Sequence, residues 1–207
     1  IKVTILYPSG KVSGYQEKQL TTLGENITAL EIDGTFDDCQ KMVKQAFLDP
    51  EISAKVNLSS ANSINIARLI PQSFYYFRAY AQVVKEEKSV VFSVPSGNFG
   101  NICAGMLVQK MGLPVHKFVA SVNANDTFVK FLQSGEFHPK PSVATLSNAM
   151  DVGNPSNFAR IYELFHKNAN TVKEYVSGYT FSDEATRDVI REIYNETSYL
   201  MDPHGAV

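Results

Sequence analysis

Short runs of β-branched and apolar residues alternate with amphipathic helical patterns, and this alternation constrains the fold of the chain more than any other feature. The runs cover residues 3–7, 27–32, 55–58, 89–94 and 116–122, and helical patterns separate most of them. Strands that are joined through helices pair in parallel, because only a long crossover returns the chain to the same edge of a sheet. The sequence therefore predicts an α/β fold of open parallel sheets flanked by helices.

Local signals predict where the helices begin and end. Gly135 is expected to close one helix, and Pro71 is expected to kink or divide the long helical pattern of residues 66–84. Asp37 and Asp38 lie in the first turn of another helix, where they complement the positive end of its dipole. The predicted N-caps are Thr35, Asn125, Asn154 and Ser182.

A polar, turn-rich stretch from Ser59 to Asn65 is the most plausible hinge between two lobes, since each side of it has its own strands and helices. The sequence predicts that residues 1–64 belong to a smaller α/β lobe. Residues 65–207 are predicted to form part of a larger one.

Charge and composition exclude several classes of partner. The formal net charge is −2, with 19 Lys and Arg against 21 Asp and Glu, so no basic excess favours nucleic acid or an anionic membrane. No apolar run approaches the roughly 20 residues that span a bilayer. Cys39 and Cys103 lie far apart without metal-ligand spacing, which predicts no metal site and favours a reducing cytoplasm.

The strongest local motif is the Gly-rich loop, Ser96-Gly97-Asn98-Phe99-Gly100-Asn101, between an apolar strand and a helix. Its two glycines are expected to free the backbone for a sharp turn. Successive N–H groups at a helix N-terminus can then converge on a phosphate without any basic side chain. The motif matches neither the P-loop nor the dinucleotide-binding loop. The alternative interpretation is a tight turn that binds nothing.

Two further polar stretches are candidates for a site. In the Ser/Asn segment, residues 59–68, hydroxyl and amide side chains precede Arg68, which could pair with a carboxylate or a phosphate. The alternative is an ordinary capping segment. Residues 145–151 and 154–160 are interpreted as a loop and a capped helix, with a site role as the less favoured alternative. A hydrolase role for Ser96 is weak because the nucleophile-elbow pattern is absent.

Taken together, these residues resemble the pyridoxal-phosphate enzymes of the tryptophan-synthase β fold (fold type II) and, within them, the threonine synthase family. The matching blocks follow one another in family order over essentially the whole chain. They are VTILYP (3–8), QE (16–17), QLTTLG (19–24), ALEIDGTFDDCQ (29–40), SANSINIAR (60–68), SGNFGN (96–101), NAND (123–126) and DPHGAV (202–207).

The resemblance implies a two-lobed enzyme of the cytoplasm, with residues 65–207 in its cofactor-binding lobe. Its cofactor is pyridoxal 5'-phosphate, and its reaction converts O-phospho-L-homoserine and water into L-threonine and inorganic phosphate. The cofactor would act as an electron sink, so that phosphate leaves from the γ carbon of the substrate and water adds at the β carbon.

The resemblance also implies roles for individual residues. The backbone N–H groups of Gly97, Asn98, Phe99, Gly100 and Asn101 would hold the cofactor phosphate. The residues implied for substrate binding are Asn62, Ser63, Asn65 and Arg68.

The family's Schiff-base lysine and its Gly-rich substrate loop are expected upstream of Ile1, and the partner of the pyridine nitrogen beyond Val207. The chain is therefore interpreted as an internal fragment that is inactive alone, and it receives no catalytic residue. Lys2, Lys11 and Lys41 lie in contexts unlike that of the family lysine. The alternatives are another lyase of this fold, such as a threonine dehydratase or a cysteine synthase, and a non-catalytic phosphate-binding α/β module.

Overall fold

A computed structural model describes residues 1–84 and 89–207, which form two compact units, Ile1–Ser59 and Ser60–Val207. The division falls at the start of the predicted hinge, whereas the predicted boundary lies between residues 64 and 65. The assignment of the two parts to a smaller and a larger lobe stays a prediction. None of the helices within these described ranges has both the length and the apolar character needed to cross a membrane.

The first unit contains two parallel strands and three helices. Strand β1 pairs with β2 in a register that sets Val3 opposite Ile27. Helix α2 begins with the predicted cap, in which Thr35 and Asp38 exchange side-chain and backbone hydrogen bonds. The elements are β1 (Val3–Pro8), α1 (Gly14–Thr21), β2 (Ile27–Ile32), α2 (Phe36–Leu48) and α3 (Pro50–Lys55).

The strand that was predicted for residues 55–58 is wrong. Lys55 is the last residue of α3, and residues 56–58 have no regular structure. Asp49 accepts hydrogen bonds from the N–H groups of Glu51 and Ile52, and Pro50 occupies the first helical turn. This N-capping signal starts a helix whose last residue, Lys55, is the first residue of the predicted strand.

The second unit is built on a sheet of three parallel strands in the order β3-β4-β5, which confirms the predicted α/β class. Strand β5 was not predicted, because it is short and follows a helix with no intervening turn residue. The elements are α4 (Leu69–Val83), β3 (Val90–Pro95), α5 (Gly100–Lys110), β4 (Val115–Val122), α6 (Thr127–Ser134), α7 (Phe158–Leu164), α8 (Ala169–Tyr175), β5 (Val176–Thr180) and α9 (Asp183–Thr197).

Aromatic and aliphatic side chains fill the core between this sheet and its helices. Ile102, Phe118 and Phe128 are fully buried. Helix α5 packs closely on α4, since a Cβ atom at Gly105 would lie 2.6 Å from the ring of Tyr76. The core therefore fixes the start of α5 relative to the carboxyl end of β3.

Two of the predicted N-caps are displaced, and Pro71 lies at the start of a helix. Pro71 lies in the first turn of α4, after a 3-10 turn at Ile66–Arg68, so it divides the helical pattern near its start. Asp126, and not Asn125, occupies the N-cap position of α6, because the Asn125 side chain is bonded elsewhere. Helix α7 follows Asn157 and not Asn154. The predicted cap at Ser182 and the left-handed Gly135 at the end of α6 are confirmed.

Candidate active site

The Gly-rich loop connects the carboxyl end of β3 to the first turn of α5. The Ser96 N–H continues the strand pairing by donating to the Ser121 carbonyl at 2.9 Å. The chain then reverses through Phe99, whose φ of 60° lies in the left-handed region. Neither Gly97 nor Gly100 has a positive φ, so the expectation that the glycines supply the turn is wrong. Phe99 makes the turn, and the glycines serve close packing.

Asn101 braces the loop from inside. Its amide donates to the Pro95 carbonyl at 2.7 Å, and its Oδ1 accepts from the Ile102 N–H at 2.9 Å and the Ser96 hydroxyl at 3.1 Å. The Tyr76 hydroxyl donates to the Asn101 carbonyl at 2.7 Å. The Asn101 side chain therefore fixes the loop and leaves only its backbone N–H to a ligand.

Phe99 anchors the turn in the core. Its side chain is 2% exposed, and its ring centroid lies 4.3 Å from that of Phe128. A buried aromatic pair of this kind contributes packing energy and rigidity. This packing offsets the cost of holding a bulky residue in the left-handed region.

Five consecutive N–H groups, at residues 97–101, donate no hydrogen bond to any protein group in the described parts of the chain. They lie at or just before the N-terminus of α5, an 11-residue helix with no acidic side chain in its first turn. Unpartnered N–H groups and the positive end of a helix dipole both favour an anion. The arrangement can bind a phosphate without a basic side chain.

The 145–151 segment covers one side of the loop. A Cβ atom at Gly97 would lie 2.6 Å from the Cα atom of Met150, so only glycine fits there. At Gly100 a Cβ atom would lie 3.2 Å from the Cβ atom of Ser63, a side-chain contact that can adjust. Gly97 is therefore the position at which the loop tolerates least change.

A buried polar network holds the 145–151 segment in place. The Asp151 carboxylate accepts hydrogen bonds from Asn123 at 2.9 Å, Asn125 at 3.1 Å, the Thr145 hydroxyl at 2.7 Å and the Thr145 N–H at 3.0 Å. Burial raises the pKa of Asp151 above its ordinary value, although these hydrogen bonds act in the opposite direction. The network joins the end of β4 to the segment that packs on Gly97.

In the Ser/Asn segment, most amide groups organise the backbone. Asn65 caps the 3-10 turn by accepting from the Ala67 N–H at 3.0 Å, and its amide donates to the Ser60 carbonyl at 3.0 Å. Asn62 accepts from the Ser63 N–H at 2.6 Å. Arg68 is exposed, and in the described chain its guanidinium donates to the Ala61 carbonyl. Its guanidinium therefore retains donors for a ligand.

The structure brings the two predicted groups of residues together. The Asn98 amide in the Gly-rich loop donates to the Ser63 hydroxyl of the Ser/Asn segment at 2.6 Å. That hydroxyl lies 3.1 Å from Asn62 Oδ1 and can donate to it. One continuous polar surface thus runs from the helix N-terminus to the entrance of α4.

Sequence reasoning missed the residues that join these two groups. Ser156 donates from its N–H to Asn98 Oδ1 at 2.6 Å, and the Asn157 amide donates to the Asn98 carbonyl at 2.9 Å. Arg160 donates to the Ser63 carbonyl at 2.7 Å and to the Ile64 carbonyl. The polar stretch at residues 154–160 contains all three of these residues, but its pattern chiefly indicates a capped helix.

Other chemistry near the loop is limited. Burial raises the pKa of the Cys103 thiol to about 11, so this group stays protonated at neutral pH and is a poor nucleophile. Both cysteines are free. Over residues 1–84 and 89–207, no group of three or more His, Cys, Asp and Glu side chains is placed to hold a metal ion.

Comparison with known proteins identifies the family. The profile described as "Pyridoxal-phosphate dependent enzyme" matches residues 1–207. The chain is 51% identical over 208 residues to the threonine synthase of Haemophilus influenzae, covering 100% of this chain and 48% of that protein. It thus spans about half the length of the curated relatives that it matches.

Solved structures give the same result. The crystal structure of threonine synthase from Escherichia coli superposes with a TM-score of 0.92 at 49% identity, over 100% of this chain and 48% of that one. The pyridoxal-phosphate-bound threonine synthase from Brucella melitensis superposes with a TM-score of 0.83 at 34% identity, over 99% of this chain and 50% of that one. The predicted fold type II is confirmed, and this chain belongs to the family of pyridoxal-phosphate-dependent enzymes.

Proposed function

We propose that the complete gene product is a threonine synthase of the cytoplasm that converts O-phospho-L-homoserine and water into L-threonine and phosphate. The observation that carries the proposal is the 51% identity to a threonine synthase, which extends over the whole chain. Identity at this level over both compact units favours this reaction over that of a threonine dehydratase or a cysteine synthase.

The cofactor phosphate is proposed to bind at the Gly-rich loop. The five N–H groups of residues 97–101, which have no protein partner among the described residues, fit a phosphate dianion in number and in polarity, and they lie at the positive end of the α5 dipole. Bound pyridoxal phosphate supplies an electron sink for carbanions of the amino-acid substrate. The side chains of Phe99 and Asn101 serve this site indirectly, because they hold the backbone that presents the N–H groups.

The Ser/Asn segment is proposed to bind the phosphate of the substrate. Arg68 is exposed and forms no ion pair within the described chain, so its planar guanidinium can pair with a phosphate in a bidentate manner. Asn62, Ser63 and Asn65 shape the backbone beside it. The Asn98–Ser63 hydrogen bond sets this segment next to the cofactor loop.

We assign no lysine of this chain to covalent attachment of the cofactor. Lys2, Lys11 and Lys41 are exposed residues of the first unit, outside the unit that contains the Gly-rich loop. The activity is therefore proposed for the complete gene product. The isolated 207-residue chain is expected to release no phosphate.

Purified complete protein should be incubated with pyridoxal phosphate and O-phospho-L-homoserine, while inorganic phosphate and threonine are measured. We expect equal amounts of both products, and none when the cofactor is removed. Parallel reactions with L-threonine alone, and with O-acetylserine plus sulfide, test the dehydratase and cysteine synthase alternatives. Faster turnover in either parallel reaction than with O-phosphohomoserine would contradict the proposal.

A further inference from the structure

Four residues from three separate parts of the second unit form a closed ring of hydrogen bonds. Asn98 donates to the Ser63 hydroxyl at 2.6 Å, and the Asn98 carbonyl accepts from the Asn157 amide at 2.9 Å. Asn157 Oδ1 accepts from Arg160 at 2.6 Å, and the same Arg160 nitrogen donates to the Ser63 carbonyl at 2.7 Å. The ring therefore joins the Gly-rich loop, the Ser/Asn segment and α7.

Arg160 is the cation in this ring, and it forms no ion pair with any residue in 1–84 or 89–207. Its two terminal nitrogens donate to the carbonyls of Ser63 and Ile64 and to Asn157 Oδ1. Hydrogen bonds from a charged donor are stronger than neutral ones, and the planar fork can hold two successive carbonyls at once. The guanidinium thus fixes the backbone of the Ser/Asn segment at the residues that precede its 3-10 turn.

The other side of the ring is rigid. Asn157 is fully buried, and Asn98 also accepts hydrogen bonds from the Ser156 N–H at 2.6 Å and the Ser156 hydroxyl at 3.0 Å. Loss of Arg160 would leave the hydrogen bonds from Ser156 and Asn157 to Asn98 intact. It would release the carbonyls of Ser63 and Ile64, which have no other partner in the described chain.

We propose that Arg160 is a positioning residue, which holds the Ser/Asn segment against the Gly-rich loop so that the substrate-binding groups are ordered before substrate arrives. The inference rests on the proposed function, because it assigns substrate binding to this segment. Preordering lowers the entropic cost of binding. Arg160 therefore acts on substrate affinity through the segment, and in the ring it is linked to Asn98 of the Gly-rich loop through Ser63 and Asn157.

Arg160→Met in the complete protein tests this role, since methionine keeps much of the side-chain volume and removes the charge and the donors. We expect the KM for O-phosphohomoserine to rise about tenfold or more, the loss expected for charged hydrogen bonds. We expect kcat to change less than about threefold and the Kd for pyridoxal phosphate less than about twofold, because the bonds to Asn98 remain. The lysine in Arg160→Lys can reach one carbonyl, so this variant should raise the KM less than Arg160→Met does.

Hydrogen exchange provides a readout without turnover. In the cofactor-free protein, amide exchange at residues 62–66 should accelerate about tenfold in Arg160→Met. Arg187→Met is the matched control, because Arg187 is an exposed arginine on α9 of the same unit. It should change neither exchange at these residues nor KM.

The results separate the two proposals. Unchanged exchange at residues 62–66, or equal rises of the KM and the cofactor Kd, would overturn the positioning role of Arg160. If the wild-type protein fails to use O-phosphohomoserine, the proposed function is overturned. Accelerated exchange in Arg160→Met alone would then still support the link between Arg160 and the segment.

Discussion

The Gly-rich loop and the Ser/Asn segment lie side by side, yet they are held in opposite ways. Core contacts fix the loop from inside, with the Phe99 ring buried and Asn101 bonded to Pro95, Ser96 and Ile102. The segment is largely exposed, and its tertiary hydrogen bonds come from Asn98 and Arg160.

This difference separates two properties of the site. The loop presents its N–H groups without further rearrangement, so its affinity for an anion depends on the core. The position of the Ser/Asn segment depends on two polar side chains, so its affinity for substrate can change while the fold is retained. Substitutions in the loop should therefore affect stability and cofactor binding together, while substitutions in the segment should affect substrate alone.

The largest effect is expected from Gly97→Ala in the complete protein. The new Cβ atom would lie 2.6 Å from the Met150 Cα atom, so backbone must move against backbone. We expect a loss of about 1–3 kcal/mol in the free energy of unfolding, typical of overpacking. The Kd for pyridoxal phosphate should rise about a hundredfold as the N–H groups are displaced. Chemical denaturation and cofactor titration measure the two effects.

Two control variants sharpen this result. In Gly100→Ala the nearest atom to the new Cβ is the Ser63 Cβ, at 3.2 Å, and all its close neighbours are side chains, so the cofactor Kd should rise much less. Gly178→Ala would press on the core side chains of Leu132 and Val129, at 2.9 Å and 3.1 Å, and should lower stability with little change in the Kd of the folded protein. Equal cofactor affinity in the Gly97 and Gly100 variants would contradict the role of Gly97.

An intermediate effect is expected from Arg68→Ala. Removal of an exposed guanidinium that pairs with the substrate phosphate should raise the KM about tenfold or more. The cofactor Kd and the melting temperature should stay nearly constant, since within the described residues Arg68 is bonded only in its own segment. Arg78→Ala, at another exposed arginine of the same region on α4, is the matched control. A parallel loss of cofactor affinity would show that Arg68 supports the loop.

The smallest effect concerns pH. Burial raises the pKa of Asp151, which anchors the 145–151 segment on Gly97. In contrast, hydrogen bonds from Thr35 lower the pKa of Asp38. The folded protein therefore binds the Asp151 proton more tightly than the unfolded chain does. The contribution of Asp151 to stability is greatest below the ordinary pKa of 3.8 and falls as pH rises through the raised value. Asp38 contributes above its ordinary pKa and loses this contribution in acid.

Carboxyl carbon NMR of aspartate-labelled protein measures both midpoints. We expect the Asp151 midpoint above 3.8 and the Asp38 midpoint below it. Asp151→Asn should remove the higher midpoint and leave that of Asp38 unchanged. A midpoint for Asp151 below the ordinary value would mean that hydrogen bonding outweighs burial in this network.

The sequence was most informative where the determinants are local. The apolar strand before Ser96, the loop and the helix after it are contiguous, so the pattern predicted the unit β3-loop-α5 and its free N–H groups. The capping signals of Thr35 and Ser182 are also local and were confirmed. The expectation that the two glycines make the sharp turn was wrong, since a left-handed, buried Phe99 depends on packing with Phe128.

Local sequence patterns could not predict the contacts between distant segments. Arg160 lies 97 positions after Ser63, and it recognises backbone carbonyls, which every residue type carries. The Asp151 network likewise depends on a distant contact, because Asp151 lies 28 positions after its partner Asn123. Strand β5 was missed for a related reason, because its pairing with β4 and not its own short pattern determines its conformation.

The central claim is that the N–H groups of residues 97–101 hold the cofactor phosphate. A crystal structure of the complete protein with pyridoxal phosphate tests it most directly. The account predicts phosphate oxygens about 2.7–3.2 Å from the backbone nitrogens of this loop, with Phe99 in the left-handed conformation and the Asn98–Ser63 hydrogen bond retained. A phosphate held elsewhere, with these N–H groups bonded to water or to other protein groups, would contradict the account.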